Sequence, residues 1–380
     1  MTQSAGEIVI RPVGTRADRE AFLRLPGQLA AGDPNWVEPL HFERRRFLSP
    51  RHNPVFGHAE IGLWLALRSG RPVGRISAQV DRLVPGTSGG PLGFFGMIDA
   101  REDDVLARLF ETAEGWLAER GIRHVRGPFN LSINQSSGVL VWGFDSPPSL
   151  MMEHNDPWLG PAIERHGYAK ACDVVAYRLK FENGLPERLR RVSERSTDKA
   201  RLRPLDARRF GEEIATVTSI FNDAWAGNWG FVPLTEAETA AMAAELRPIL
   251  PPDSVQIAEV EGRPVAFIVM VPNVNEALRG LNGRLWPLGW ARLLWRLKVA
   301  GVRTARVPLM GVRRDVAGTI LGKNLPLRLI YALEPAVHAH GIREIELSWL
   351  LEDNWPMRRL VEAIGCEHYK TWRIYSKDLS

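Results

Sequence analysis

Two short stretches of this chain of 380 residues read almost alike. Ser69–Gly74 is SGRPVG and Glu261–Ala266 is EGRPVA, and each lies between two runs rich in apolar and β-branched residues. A Gly-containing turn between such runs signals a β-hairpin. The elements around the turn also recur in order. In the first half, Ile8–Pro12 reads as a strand, 16–30 as a helix, and Ile61–Leu67 with Val73–Val80 as the hairpin. Phe94–Ile98 follows as a strand, then Asp104–Arg120 as a helix with Leu106, Leu109, Phe110, Ala113 and Leu117 on one face. Val125–Pro128, a helix over Pro157–His166 and a strand over Lys170–Lys180 close that half. The second half offers a helix at Arg208–Trp225, hairpin strands Val255–Val260 and Val265–Val271, and a strand from Arg306. A helix from Ala317, a strand Arg343–Trp349, a helix after Asn354 and a strand through Tyr375 complete it. A repeat of roughly two hundred residues means tandem copies of one fold rather than a solenoid. The expected class is α/β, with domains at 1–181 and 182–380, each a mixed central sheet flanked by helices, joined by the charged stretch 182–199. The length suits two such cores.

Composition narrows the function classes. With 45% hydrophobic and 24% charged residues, the chain is a folded one. The net charge of +5 suits an anionic partner, but the basic residues are dispersed and lack zinc-finger or basic-zipper spacing, so nucleic acid is not expected. Cys172 and Cys366 are far apart and form no CxxC pair, and neither His58 nor His154 has a partner at metal-ligand spacing. No metal site and no disulfide framework are expected. The N-terminus lacks a basic region followed by an apolar core, and no apolar run approaches the ~18 residues of a spanning helix. A cytoplasmic protein, peripheral at most to the inner membrane face, is the expectation.

The chemistry gathers after Arg306. Backbone N–H groups converging at a helix N-terminus make an anion site, and Met310, Gly311, Val312, Arg313, Arg314, Gly318, Gly322 and Lys323 form such a loop ahead of a helix. Asn354 heads the next helix, a favoured N-cap residue with Pro356 in the first turn. On the strand between them Glu344, Glu346 and Ser348 share a face, so Glu346 is a candidate base; Asp223 is a second base or an ammonium anchor. Phe221–Phe231 (FNDAWAGNWGF) offers Asn228 and Trp229 to a substrate pocket. In the first half, Gly127–Gly138 is rich in amides, with Asn130 and Asn134 as substrate contacts. The acidic residues Asp99, Glu102, Asp103 and Asp104 stand where a phosphate loop would fall, so that copy reads as degenerate for cofactor.

Strand, anion loop, helix, strand, Asn-led helix and strand resemble the GNAT acyltransferase superfamily, in both halves and most closely from Arg306 to Tyr375. The resemblance implies two tandem GNAT domains, an acyl thioester of CoA or an acyl carrier as co-substrate, no permanent cofactor, and direct transfer to an amine. In that pattern Asn354 contacts the pantetheine arm. The loop departs from the superfamily's Gln/Arg-x-x-Gly-x-Gly/Ala: Ala317 and Ile320 stand at its first and fourth positions and Gly322 alone matches. The helix Tyr that protonates the departing thiolate would fall near Val361 and is absent, leaving Tyr369 and Tyr375 as candidate acids.

One further segment, about 284–299, places three Trp and several Leu among Arg284, Arg292, Arg296 and Lys298. A helix with such faces suits an anionic membrane surface. Gly127–Asn134 (GPFNLSIN) and Val307–Val312 (VPLMGV) are similar to a bacterial tandem-GNAT group that includes bacterial ceramide synthases. That likeness implies N-acylation of a long-chain sphingoid base at the membrane. A soluble GNAT acetyltransferase or aminoacyl transferase of a small amine, or a non-catalytic ligand-binding protein, are the alternatives that the residues leave open. Oligomeric state is not legible.

Overall fold

The computed structural model describes residues 6–86, 90–182, 184–194 and 200–379. The first five residues, part of the N-terminus read above for a leader, and 195–199 of the charged linker lie outside them. The chain divides into two compact units. The first holds Met1–Val174, Gly280–Arg284 and Lys370–Ser380, and the second Val175–Arg279 and Leu285–Tyr369.

The first unit runs β1 (Ile8–Pro12), α1 (Arg16–Leu29), α2 (His41–Phe47), β2 (Ala59–Arg68), β3 (Arg71–Asp81), β4 (Leu92–Ala100), α3 (Asp103–Ala118), β5 (His124–Gly127), β6 (Val139–Trp142), α4 (Leu159–Arg165) and the start of β7 (Ala169–Lys180). Thr15 opens α1 through a capping box with Asp18. The β2–β3 turn places Ser69 and Gly70 at φ 49° and 76°, the left-handed region that the Gly-containing turn supplies. Apolar residues of α3 (Val105, Leu106, Leu109, Phe110) pack on Ile76 and Phe95, while Phe22 and Leu25 of α1 meet Leu65 and Met97 in a second cluster.

Strands β4 and β5 are parallel and pair only from Leu92–Phe94 to His124–Arg126. Where they part, the chain fills the gap itself. The Phe129 N–H donates to the Phe95 carbonyl at 2.8 Å, and the Asn130 side-chain oxygen accepts from the Met97 N–H at 2.7 Å. Gln79 Nε2 donates to the Phe129 carbonyl at 2.6 Å. Gly96 permits this approach, since a Cβ there would stand 1.8 Å from the Phe129 oxygen.

The second unit continues with the end of β7, then α5 (Glu187–Glu194), β8 (Arg201–Pro204), α6 (Phe210–Trp225), α7 (Glu236–Leu246), β9 (Val255–Val260), β10 (Arg263–Pro272), α8 (Asn275–Leu278) and α9 (Gly289–Trp295). After these come β11 (Thr304–Val312), α10 (Arg314–Ala317), α11 (Ile320–Ala332), α12 (Glu334–Ala339), β12 (Glu344–Leu351), α13 (Trp355–Ala363) and β13 (Glu367–Asp378), whose residues from Lys370 on belong to the first unit. The second unit's strands follow the order β7-β12-β11-β10-β9-β8. Leu325 and Leu329 of α11, Val337 of α12 and Val361 of α13 share a core with Ala305, Val307, Ile345, Leu347 and Leu350 of the sheet. On the other face α6 packs against β10 and β11; a Cβ on Gly311 would lie 3.0 Å from the Phe267 ring and 3.2 Å from Ala224. Strands β11 and β12 are parallel and pair only from Thr304–Val307 to Glu344–Leu347.

Hydrophobic period finds most of the long elements but passes over α2, α5, α7, α8, β6 and β8. Helix α5 (ERLRRVSE) carries no apolar stripe, and β6 and β8 have four residues each. The Trp-Arg helix is shorter than its pattern suggests, since α9 ends at Trp295 and a π-turn takes over at Arg296–Ala300.

Gly96→Ala is expected to destabilise the protein by about 1–3 kcal/mol or more, because backbone on both sides must move. Chemical denaturation checks this, and a variant of unchanged stability would contradict the close approach.

Candidate active site

Parallel strands covered on both faces are normally apolar throughout, yet β11 and β12 carry a facing charged pair. Arg306 stands opposite Glu346 in the register, one residue before pairing ends, on the face turned away from α11. Both are 3% exposed. Arg306 Nε lies 3.4 Å from Glu346 Oε1 and donates to Ser348 Oγ at 2.8 Å, and its Nη2 donates to the Ser348 carbonyl at 3.3 Å. Ser348 Oγ in turn donates to Glu346 Oε1, and the Tyr369 hydroxyl donates to Glu346 Oε2. Burial lowers the Arg306 guanidinium from its usual value. Burial first, then the Glu346 charge, raises the Tyr369 phenol well above its usual value, so Tyr369 stays neutral. The Arg178 guanidinium lies 5.1 Å from the Tyr369 ring centre. Breaking a buried pair of this kind costs about 3–5 kcal/mol, since the survivor is left as an uncompensated charge.

The loop that follows β11 is braced by its own charges. Asp223 of α6 accepts from the Arg314 N–H at 2.9 Å and lies 3.6 Å from its guanidinium. Arg313 is committed to the Pro264 carbonyl at 3.1 Å and Ser219 Oγ at 2.9 Å, and Arg263 pairs with Asp315 at 2.7 Å. Thr319 caps α11 by accepting from the Gly322 N–H at 3.0 Å. Gly322 is required there for packing, since a Cβ would stand 2.0 Å from the Val316 carbonyl oxygen. Lys323 and Gly318 are exposed, and Ile320 is 87% exposed at the head of α11. Met310, Gly311 and Val312 lie on β11 beyond its last residue paired with β12. The Trp225 indole donates to the Met310 carbonyl at 3.3 Å. Asn354 caps α13, accepting from the Met357 N–H at 3.3 Å.

The remaining sequence candidates fall elsewhere. Asn228 is an exposed loop residue beside half-buried Trp229, after a cluster in which the Phe221 ring lies 4.9 Å from Trp225 and 5.9 Å from Phe231. In the first unit, the Asn130 nitrogen donates to Ser136 Oγ at 2.9 Å and Glu153 Oε1 at 2.7 Å while its oxygen holds Met97. That amide serves the loop. Asn134 is half-buried in the same loop, where its N–H donates to Ser132 Oγ at 3.2 Å. Tyr375 is fully buried in the first unit's core, its phenol raised by burial. In the second unit burial pushes the Cys366 thiol up to about 12, which removes it as a nucleophile at neutral pH. Among the described residues no three His, Cys, Asp or Glu are grouped to hold a metal, and no helix is long and apolar enough to cross a membrane. Sequence reasoning placed Ser348 on the face of Glu346 and named Tyr369 as a candidate acid, but it missed Arg306 and the hydrogen bonds that join Ser348 and Tyr369 to Glu346. An Arg and a Glu within two otherwise apolar central strands were the available signal.

No protein-family model matches the chain. It is 46% identical over 376 residues to the bacterial ceramide synthase of Caulobacter vibrioides (strain NA1000 / CB15N), an alignment that covers 98% of each chain. The chain belongs to the bacterial ceramide synthase family. A second relative, Protein YghO of Escherichia coli (strain K12), is 44% identical over 373 residues, or 98% of this chain and 95% of its own. Among solved structures, a tandem GNAT protein from the clavulanic acid biosynthesis pathway superposes with a TM-score of 0.58 at 16% identity, over 98% of both chains. A GCN5-related N-acetyltransferase from Sphaerobacter thermophilus gives 0.54 at 13% identity, over 98% of this chain and 95% of its own. At such identities the likeness carries the fold, which is the tandem-GNAT fold. This member of the bacterial ceramide synthase family is an acyltransferase.

Asp223→Ala is expected to weaken acyl-CoA binding roughly 5- to 10-fold, the effect of about 1–1.4 kcal/mol for a lost loop hydrogen bond. Isothermal titration checks it. An unchanged dissociation constant would mean that the brace does not shape the binding loop.

Proposed function

We propose that the protein transfers a long-chain acyl group from a CoA or acyl-carrier thioester to the amine of a long-chain sphingoid base at an anionic membrane surface. The observation that carries this reading is the uncovered apolar segment after Leu285. Trp286, Leu288, Trp290, Leu294, Trp295 and Val299 are exposed, from 49% at Trp290 and Leu294 to 83% at Trp286. Arg292 and Lys298 are exposed among them, while Arg296 ties the segment down by donating to the Ala277 and Arg279 carbonyls at 2.7 and 2.6 Å. Water disfavours such a surface by about 25 cal/mol per Å² of apolar area, and each basic residue near an anionic surface adds about 1 kcal/mol of attraction. A small soluble amine gives no use for this segment, whereas a long-chain amine resides in a bilayer. The name of the Caulobacter relative supports a ceramide as product.

The thioester's phosphates fit the N-terminus of α11 with Arg314 and Lys323, and its pantetheine arm the gap between β11 and β12 with Asn354 at one end. The first unit's own gap is filled by 128–131, which supports a role for that unit other than thioester binding. Within the second unit, Glu346 accepts the proton that an arriving ammonium must lose, by way of the Tyr369 hydroxyl that already donates to it. The neutral amine then attacks the thioester directly, without a covalent enzyme intermediate. Asn228 and Trp229 are assigned to the acceptor.

The test is incubation with sphinganine and a panel of acyl-CoA and acyl-carrier thioesters, read by product mass; an N-acylated sphinganine is expected, and no thioester consumed would sink the proposal. Glu346→Gln is expected to lower kcat by roughly 10²-fold or more, and a variant of near-parental kcat would remove Glu346 as base. Flotation with phosphatidylglycerol vesicles is expected to carry the unmodified protein and to lose Trp290→Glu/Trp295→Glu. Equal flotation of both would exclude this segment as the membrane contact.

A further inference from the structure

Trp349 carries a hydrogen-bond donor whose proton none of the described residues accepts. Up to Ser348, strand β12 alternates strictly: Ile345 and Leu347 join the core with α11, and Glu346 and Ser348 face the other way. One residue later the alternation slips, because Leu350 is the next to enter that core. Trp349 therefore shares the face of Arg306, whose guanidinium carbon lies 5.2 Å from its ring centre. It stands past Leu347, the last residue of β12 paired with β11, and so borders the gap between the strands. Its indole nitrogen is buried, and among the described residues nothing accepts its proton. A buried unmet donor is costly, and native proteins keep few of them without a functional reason. Arg306 beneath the ring is already committed to Ser348, which leaves the indole as a side-chain donor at the mouth of the gap.

We infer that the Trp349 Nε1–H receives the acyl carbonyl oxygen of the bound thioester, an assignment that rests on the acyl-transfer reading above. As the amine lone pair forms the C–N bond, the carbonyl π pair moves onto oxygen, where the indole N–H meets the growing negative charge. On collapse the C=O bond re-forms, the C–S bond breaks and its electron pair leaves with sulfur. The proton lost from nitrogen in this step ends on sulfur, giving one amide and one free thiol. A donor fixed in a buried site before reaction costs no reorganisation when the charge appears. Trp349 is in this sense a catalytic residue, since it touches the reacting oxygen.

Trp349→Phe keeps an aromatic ring over Arg306 and removes the donor. With palmitoyl-CoA and sphinganine, kcat is expected to fall roughly 10²-fold. The palmitoyl-CoA dissociation constant, measured by titration, is expected to stay within about twofold, as for an interaction made mainly in the transition state. A variant with the parental kcat overturns the assignment. So does one whose sole defect is weaker palmitoyl-CoA binding, which would put the N–H on the pantetheine arm. Should the phenylalanine variant not fold, benzothienylalanine at position 349, with sulfur in place of N–H, makes the same comparison under the same two criteria. Failure of the unmodified protein to consume palmitoyl-CoA with any long-chain amine is a separate result and counts against the acyl-transfer reading itself.

Discussion

The parting of β11 from β12 is the constraint on which the second unit depends. Two parallel strands that separate must either leave backbone groups unmet or offer them to something else. The last place where they hold together is marked by Arg306 and Glu346, buried and opposite one another. Neither charge is tolerable there alone, so each keeps the other, with Ser348 and Tyr369 supplying the further donors that Glu346 needs. A buried ion pair of this type adds little net stability compared with apolar residues of the same size. On the reading proposed above, its presence in the centre of the sheet is a cost accepted for chemistry.

The first unit meets the same geometric problem and solves it internally. Its parallel strands part after Phe94 and Arg126, and the backbone of Phe129 with the side chain of Asn130 meets the exposed groups of β4. The acidic residues at the end of β4 and after it are also spoken for. Glu102 and Asp104 pair with Arg68, Asp103 with Arg165, and Asp99 with Arg75. At the head of α3 they complement the helix dipole themselves. On the reading proposed above, one copy of the fold keeps its gap for a ligand, whereas the other closes it with its own chain.

Most of the architecture was legible because hairpins and amphipathic helices announce themselves through period and turn residues. The matching Gly-Arg-Pro turns at 70–72 and 262–264 reported the duplication before any element was placed. The loop after β11 and the capped helix that follows it were also readable, and so was Glu346 as a residue worth attention. What stayed hidden were relations between residues distant in sequence. Nothing in the order of residues says that Tyr369 reaches Glu346, or that Asp223 braces Arg314 across 91 positions. The slip that turns Trp349 to the polar face breaks the alternation on which strand reading relies, so pattern alone would have sent that side chain into the core. Gly322 illustrates a subtler point. It matches a superfamily glycine, yet its local necessity is the Val316 carbonyl oxygen 2.0 Å from where a Cβ would sit.

The closing strand has a consequence for how the molecule is made. Tyr375–Asp378 pair with Gly127–His124, and Thr371–Arg373 pair with β6, all within the first unit. That unit is therefore missing a strand until residues 371–378 have left the ribosome. Conversely, Val175–Lys180, which follow directly on the first unit, are built into the second. Synthesis cannot deliver one finished half and then the other. Neither half, cut at a boundary in sequence, contains all of its own sheet.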